Sequence, residues 1–187
     1  VSSFDTSNVT DMSGMFAYCY KLTSLDVSHF NTSKVTDMSD MFGGCSSLTD
    51  IDVSNFNTNN VTDIGGMFEG CRNLTSLDVS HFNTSKVTDM SDMFAYQEKL
   101  TSLDLSGFDT SNVTDMGSMF GGCKSLISLD LSSFDTSKVT NMGYDEENTW
   151  VSGMFEGCSS LKSLNVSSFN TSNVTNMSWM FNRCSGL

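Results

Sequence analysis

Cysteine recurs along this chain at one position of a repeated block, where thiols could form disulfides, bind zinc or act as nucleophiles. The six are Cys19, Cys45, Cys71, Cys123, Cys158 and Cys184. Gln97 occupies the remaining position of the column. Side chains stacked in one column point the same way, and no C-x-x-C or histidine-containing zinc spacing occurs. We therefore expect free, buried thiols that act as small apolar fillers.

Carboxylates recur as regularly as the thiols and could bind calcium. One column runs from Asp11 to Asn176, and two others contain Asp26 and Asn31. Because Asn replaces Asp within each column, backbone caps and turns explain the pattern better than calcium ligation does. The calcium-binding spacings of EF-hands and of glycine-rich nonapeptide repeats are both absent. The sequence therefore predicts turn-forming carboxylates and no metal site.

Catalytic chemistry has no clear place in the chain. The two histidines, His29 and His81, share one variable position of the repeat and have no fixed partner residue. A serine nucleophile elbow and a glycine-rich phosphate loop are both missing. The net charge of −13 opposes binding to nucleic acid or to an anionic membrane surface. We predict a protein that is not an enzyme, needs no cofactor and does not insert directly into a membrane.

All of these residues are positioned by a block of 26 residues that is repeated along the chain. The segment that begins at Val9 recurs at Val35, Val61, Val87, Val113, Val139 and Val174. A fixed period of this size is typical of a solenoid, here of about seven coils, rather than of a closed globule. We interpret residues 1–187 as a single solenoid and as a fragment of a longer protein, because the chain begins and ends within a repeat.

Each coil is expected to contain a short strand and a short helical or 3₁₀ return. Leu25–Val27 alternates apolar and polar residues as a half-buried strand does. Met38, Met41 and Phe42 have the spacing of one apolar helix face, and Asp37 fits the N-cap of that helix. Short parallel strands stacked along the solenoid, with one return per coil, are the predicted fold.

The same pattern predicts an interior and a surface. Phenylalanine occupies the position of Phe30 in all seven coils, which favours a stacked aromatic spine. Polar residues such as Thr23 and Asp26 would form a flat, solvent-facing sheet beside it. The regular threonine column that contains Thr32 leaves the ordering of water or ice as a remote alternative function.

A nine-residue insert at about 144–152 is the main departure from the repeat. The candidate partner-binding residues are Tyr144, Asp145, Glu146, Glu147, Trp150 and Trp179. An acidic loop with aromatic residues can bind a protein or a sugar. Alternatively, Trp179 packs under the insert and holds it in place. Outside this region, only Tyr18, Tyr20 and Tyr96 offer aromatic anchors.

The run from Cys19 to Phe42 resembles the BspA-like leucine-rich-repeat surface proteins of bacteria. It is most similar to their 26-residue variant, which occurs in mycoplasmas and lactobacilli, and the likeness covers the whole chain except the insert. The resemblance implies a leucine-rich-repeat-type solenoid, display on a bacterial surface, and roles in adhesion or in contact with a host or matrix. It implies no catalytic residues. Ser28 and the pair Asp37–Met38 differ from the better-known 23-residue subtype.

Repeat and resemblance together favour an extracellular binding module displayed on the cell surface. We expect an adhesin whose partner is a protein or glycan on a host, on the matrix or on a neighbouring cell. The alternative is a structural stalk that holds another domain away from the cell, which the near-identity of the copies and their acidity also suit.

Overall fold

The computed structural model describes residues 1, 3–143 and 153–187, which form a stack of seven coils. The predicted solenoid is confirmed. The insert at 144–152 lies outside the described residues. The predicted roles of its residues therefore stay predictions; these residues are Tyr144, Asp145, Glu146, Glu147 and Trp150.

One side of every coil, which we call the turn face, comprises the residues equivalent to 37–45. In the second coil the Met41 N–H donates to the Met38 carbonyl oxygen at 3.2 Å. Asp40, the third residue of that turn, has a φ of 53°. A second turn of the same kind follows, with Gly44 at a φ of 71°. A positive φ at the third residue is the mark of a type II turn, so the turn face is a succession of such turns.

The segment that closes each coil is therefore made of turns. The short helix predicted there is wrong, because no helix occurs in the described ranges. Turns closed by bonds between residues three apart also bring Met38 and Met41 to one side, so they mimic the apolar spacing of a helix. Asp37 is not a helix cap. Its Oδ1 instead accepts a hydrogen bond from the Ser39 N–H at 2.9 Å, which stabilises the first turn.

Backbone hydrogen bonds join the turn faces of successive coils. Every second N–H from Met38 to Gly44 donates to a carbonyl oxygen of the third coil, at distances of 2.7–3.0 Å. Isolated parallel bridges link each coil to the next in the same way, from Asp11 to Asn176. This ladder sets the register of the stack along its whole described length.

The opposite side, which we call the strand face, comprises the residues equivalent to 23–28. Two strands are assigned in the described part of the chain, β1 (Ser128–Asp130) and β2 (Ser163–Asn165). They pair in parallel, with Ser128 opposite Ser163. The equivalent Leu25–Val27 keeps the predicted alternation of exposed and buried residues without forming a regular strand. The predicted strand is thus regular only in these two late coils.

The core lies between the two faces and is built from the apolar columns. Phe30 is buried, as predicted for its column. The rings that stack from coil to coil, however, belong to the other phenylalanine column, with centroids 5.5–6.4 Å apart. These stacked residues are Phe16, Phe42, Phe68, Phe94, Phe120, Phe155 and Phe181. They follow the turn face, where the backbone ladder fixes the distance between coils.

A buried threonine column supplies hydrogen bonds between coils inside the stack. The Thr32 hydroxyl donates to the Asn57 carbonyl oxygen at 3.1 Å and accepts from the Asn57 N–H at 2.7 Å. Thr58 and Thr84 do the same with the coils that follow them. Because these threonines are 1–4% exposed, the column that contains Thr32 cannot present an array to water or ice, and the prediction is wrong for this column.

Candidate functional site

All six cysteines are free, as predicted, and the four in the inner coils are buried. The predicted burial is wrong at the two ends of the stack, where Cys19 is exposed and Cys184 is half-buried, because each lacks a neighbouring coil on one side. The Cys71 Sγ donates to the Phe42 carbonyl oxygen of the preceding coil at 3.2 Å. Burial raises the pKa of Cys71 and Cys158 to about 12. These thiols are therefore protonated and poor nucleophiles at neutral pH.

The repeated carboxylates and amides form turns, which confirms their predicted role. Asp26 Oδ1 accepts a hydrogen bond from the Ser28 N–H at 2.9 Å, and Asn31 Oδ1 accepts one from the Ser33 N–H at 3.1 Å. Both are Asx turns, in which Asp and Asn are interchangeable. Among residues 1, 3–143 and 153–187, no three His, Cys, Asp or Glu side chains are arranged to hold a metal ion.

Trp179 is the one candidate partner-binding residue within the described ranges. Its side chain is 56% exposed, and its backbone adopts a φ of 60° in a turn of the last coil. It occupies the position that Gly66 and Asp92 hold in earlier coils. Trp179 therefore lies on the turn face, apart from the groove described next, which belongs to the earlier coils.

A groove with a volume of about 900 Å³ opens on the turn face of the first four coils. Its walls and main carboxylates are Tyr18, Tyr20, Asp40, Glu69, Asp92 and Tyr96, and we call it the turn-face groove. The sequence singled out the three tyrosines as anchors. It did not predict that the fold brings them together with these acidic residues.

The length of the groove is set by one column in which tyrosine and glycine alternate irregularly. Tyr18 and Tyr96 occupy it three coils apart, about 14 Å at the usual spacing between paired strands, and Gly44 and Gly70 lie between them. A Cβ at Gly44 would lie 2.8 Å from the Tyr18 ring, so that ring lies across the glycine of the next coil. All four residues have positive φ, which suits glycine and which the tyrosines adopt within tight turns.

Aromatic rings form both ends of the groove. Tyr18 and Tyr20 are 62% and 59% exposed, and their ring centroids lie 5.9 Å apart at a tilt of 48°. At the other end the Arg72 guanidinium lies over the Tyr96 ring, 5.6 Å from its centroid. A ligand in the groove would thus meet the π-faces of Tyr18 and Tyr20 at one end and the Arg72–Tyr96 pair at the other.

Carboxylates lie between these walls. The Asp40 carboxylate covers Gly66 so closely that any side chain there would collide with it. Asp63 and Asp89 face each other around Gly65, since each has an oxygen 3.3 Å from the position of a Cβ on that glycine. The absence of side chains at these glycines keeps the carboxylates accessible from the groove.

The clustered negative charge perturbs the ionisation of these groups. Burial, followed by repulsion from Glu69 and other carboxylates, raises the pKa of Asp92 to about 8. Burial and then the Asp40 charge raise the pKa of Glu69, and Glu69 in turn raises the pKa of the Tyr18 phenol. The field of the carboxylates therefore reaches the tyrosine wall.

The groove has little positive charge, and its cationic side chain is already in an ion pair. Arg72 is the only Lys or Arg among the described lining residues. Its guanidinium pairs with Glu98 at 3.1 Å, and Glu98 also accepts a hydrogen bond from Lys124 at 2.8 Å. These pairs leave the Asp40, Glu69 and Asp92 side of the groove without a bonded cation. The sequence does contain a signal for this site. The groove positions change residue type from coil to coil, whereas most other columns of the repeat are constant.

A protein-family model described as "Mycoplasma protein of unknown function, DUF285" matches residues 1–77, 67–148 and 145–187. The chain belongs to the DUF285 family. This membership agrees with the resemblance to the mycoplasma-type 26-residue repeat, which is thereby confirmed. No curated protein matches the chain.

Solved structures show which fold this DUF285 chain shares. It is similar to the leucine-rich-repeat protein TpLRR of T. pallidum, with 20% identity and a TM-score of 0.51, over 100% of this chain and 75% of that one. It is also similar to a leucine-rich-repeat protein from Bacteroides ovatus, with 18% identity and a TM-score of 0.42, over 89% of this chain and 63% of that one. At such identities the first match shows a leucine-rich-repeat fold and nothing about the ligand.

No helix long and apolar enough to cross a membrane occurs in the part of this DUF285 chain that the structure describes.

Proposed function

We propose that this DUF285 chain is a non-enzymatic binding module, displayed extracellularly on a bacterial surface, and that it binds its partner through the turn-face groove. The partner is a protein or glycan of a host, of the matrix or of a neighbouring cell, which makes the module an adhesin. The observation that carries the proposal is the groove itself, a concavity on a repeat scaffold with tyrosine rings at both ends, of which Tyr18 and Tyr20 are exposed.

The groove has the properties of a recognition site. Tyrosine is enriched among the residues that dominate interface energies, because it buries a large rigid surface and carries a polar group. Tyr18 and Tyr96 are held by turns that the backbone ladder joins to the next coil, so little conformational freedom is lost on binding. The described lining contains no His, Cys or Lys, which are common catalytic bases and nucleophiles.

The strand face, which the sequence predicted to be a flat, solvent-facing sheet, supports this function less well. Its exposed residues, such as Thr23 and Asp26, are small or polar and recur with little variety in successive coils. A specific interface normally contains aromatic or arginine anchors, and this face has none among its described residues.

A structural stalk is the second candidate function. The observation that favours it is the unbroken backbone ladder from Asp11 to Asn176, which makes a stiff rod of the seven coils. A stalk would need no groove, so loss of the groove should leave its role intact.

An array of glycans and matrix proteins, probed with the purified chain, tests the proposal. The chain should bind at least one ligand, and Tyr18→Ala/Tyr20→Ala should abolish that binding. The matched control is Ser24→Ala/Ser28→Ala, which removes two exposed side chains from the strand face and should bind as wild type does. Deletion of 144–152 tests the insert separately. If no ligand is bound, the stalk is favoured. If the tyrosine variant binds its ligand unchanged, the groove is not the binding site and that part of the proposal is wrong.

A further inference from the structure

We infer that the turn-face groove binds a basic polypeptide segment of the partner, whose Lys or Arg side chains lie between the tyrosine walls and over the carboxylates. This inference rests on the proposed function and names the chemistry of its ligand. It is carried by the shape of the groove and by the charge that this shape presents.

Charge complementarity selects the ligand. Asp40 and Glu69 point negative charge into a concavity, and Asp92 adds a further charge when it ionises near its pKa of about 8. Arg72, the one lining cation among the described residues, is already paired with Glu98. Burial raises the pKa of all three carboxylates, and repulsion from neighbouring carboxylates raises it further. A ligand that brings positive charge relieves this repulsion, whereas an acidic or neutral ligand leaves it in place.

The aromatic walls favour cations of the Lys and Arg type. An ammonium or guanidinium group over a tyrosine ring is attracted by the negative π-face. The structure already shows one such contact, between Arg72 and Tyr96, at 5.6 Å. Tyr18 and Tyr20 offer the same kind of face at the other end and are more than half exposed.

The dimensions favour a chain segment over a single ion. The walls lie about 14 Å apart, which is the length of about four extended residues. A point cation would need several ligands converging on one spot, and no such group occurs among the described His, Cys, Asp and Glu residues. A peptide can instead place separate positive charges at separate carboxylates.

Fluorescence anisotropy with labelled octapeptides tests the inference. The probes are an octapeptide that alternates Ser with Arg, the same peptide with citrulline for every Arg, and one with Glu for every Arg. The Arg peptide should bind the wild-type chain, and the citrulline and Glu peptides should bind at least about tenfold more weakly, since charge-assisted contacts are lost. Equal binding of the Arg and citrulline peptides would overturn the inference.

Two charge-matched variants separate the groove from the overall acidity of the chain. Asp40→Asn/Glu69→Gln removes two carboxylates from the groove and should weaken binding of the Arg peptide by about tenfold or more. Asp26→Asn/Asp52→Asn removes two carboxylates from the strand face and should change binding by less than about threefold, because exposed distant charges are screened. Equal effects of the two variants would show non-specific attraction and overturn the inference.

Folding and aromatic controls complete the test. Both double variants should retain the circular dichroism spectrum and cooperative unfolding of the wild-type chain, since Asn keeps the Asx turns of the strand face. Should the groove double fail to fold, Glu69→Gln alone must weaken binding measurably. Tyr18→Ala/Tyr20→Ala should weaken the Arg peptide as well, and unchanged binding would remove the tyrosine wall from the site.

The two experiments distinguish failure of the proposed function from failure of the proposed ligand class. If the array yields a ligand that requires Tyr18 and Tyr20, but the Arg peptide does not bind, the binding module stands and the basic segment is wrong. If the Arg peptide binds only through overall charge and the array yields no ligand, both are wrong.

Discussion

On the turn face, every second backbone N–H between Met38 and Gly44 donates to the next coil at 2.7–3.0 Å, whereas on the strand face such bonds are few. The Thr49 N–H, for example, lies 3.4 Å from the Thr23 carbonyl oxygen. Regular pairing on that face is confined to β1 and β2. The coils are thus held together by backbone mainly along one side.

The side chains of the two faces show the opposite trend. The strand face repeats nearly the same polar residues in each coil, while the turn face exchanges Tyr, Gly, Asp and Glu between coils. Where the backbone already joins neighbouring coils, exposed side chains are released from a structural role and can vary. The difference teaches that a recognition site in such a repeat is best sought on the face whose backbone is most regular.

The largest expected effect compares the core under the two faces. Met67 is fully buried beneath the turn face, and Leu77 is only partly buried beneath the strand face. Met67→Ala should lower the free energy of unfolding by about 2–5 kcal/mol, and Leu77→Ala by about 1–2 kcal/mol, because less apolar surface and a smaller cavity are involved. Urea unfolding measures both. An equal or larger cost for Leu77→Ala would contradict the view that the turn face is the firmer side.

A pH-dependent effect is expected at Asp92. Its folded-state pKa of about 8, raised first by burial, exceeds the ordinary value of 3.8, so the folded chain holds this proton more tightly than the unfolded chain does. Stability from this group is complete below about pH 4 and is lost as the pH rises towards 8. Because Asn cannot ionise, the free energy of unfolding of Asp92→Asn at pH 9 should exceed that of wild type by about 1–3 kcal/mol, a range that allows for partial solvation.

Asp104, on the strand face of the same coil, is the matched control. Hydrogen bonds from the Ser106 N–H and hydroxyl lower the pKa of Asp104, so its contribution has the opposite sign. That contribution is present above about pH 4 and is lost as the pH falls through the lowered pKa. Asp104→Asn should therefore never be more stable than wild type at high pH. Thermal unfolding at a series of pH values distinguishes the two profiles, and parallel profiles would contradict the assigned environments.

Gln97, which replaces cysteine in one coil, tests whether the core beneath the turn face tolerates changes of residue type as the exposed positions of that face do. Its Nε2 donates to the Phe68 carbonyl oxygen at 2.5 Å, but its buried Oε1 has no hydrogen-bond partner among the described residues. Gln97→Cys should stabilise the chain by about 1–2 kcal/mol, because a thiol satisfies the same carbonyl and leaves no acceptor unpaired. The reverse change, Cys71→Gln, should destabilise the chain by a similar amount, as chemical denaturation would measure; stabilisation would contradict this account.

The smallest effect on the free energy of unfolding is expected at Lys86, which lies between the strand face and the turn face. Lys86 donates to Asn60 Oδ1 at 2.9 Å, and both residues are exposed. Lys86→Ala should change the free energy of unfolding by no more than about 0.5 kcal/mol, since exposed polar contacts exchange readily with water. A cost above that of Leu77→Ala would show that surface contacts there, and not the turn-face ladder, join the coils.

Periodicity predicted the parts of the fold that repeat. Phe30 is buried, Cys45 is a free thiol and Asp26 forms a turn, as expected, because stacking places like residues over one another. The spacing of Met38 and Met41 could not distinguish a helix from consecutive type II turns, since both place residues three apart on one side.

The candidate site was less predictable, because it depends on differences between coils rather than on the repeat. A positive φ at Asp40 or Tyr18 is invisible in residue type, although glycine at the same column in other coils hints at it. The way Tyr18 leans across Gly44 requires the geometry of two neighbouring coils. The aromatic anchors were therefore recognisable from the sequence, and their shared groove was not.

The tyrosine walls have a consequence for how such a site could change over generations. Leu22–Phe42 and Leu74–Phe94 are identical, which invites unequal crossing-over between gene segments. Because the two segments begin 52 residues apart, each such event would add or remove two whole periods, and with them two glycine positions between the walls. The distance between the two tyrosine walls would then change in fixed increments, while both aromatic ends stay intact.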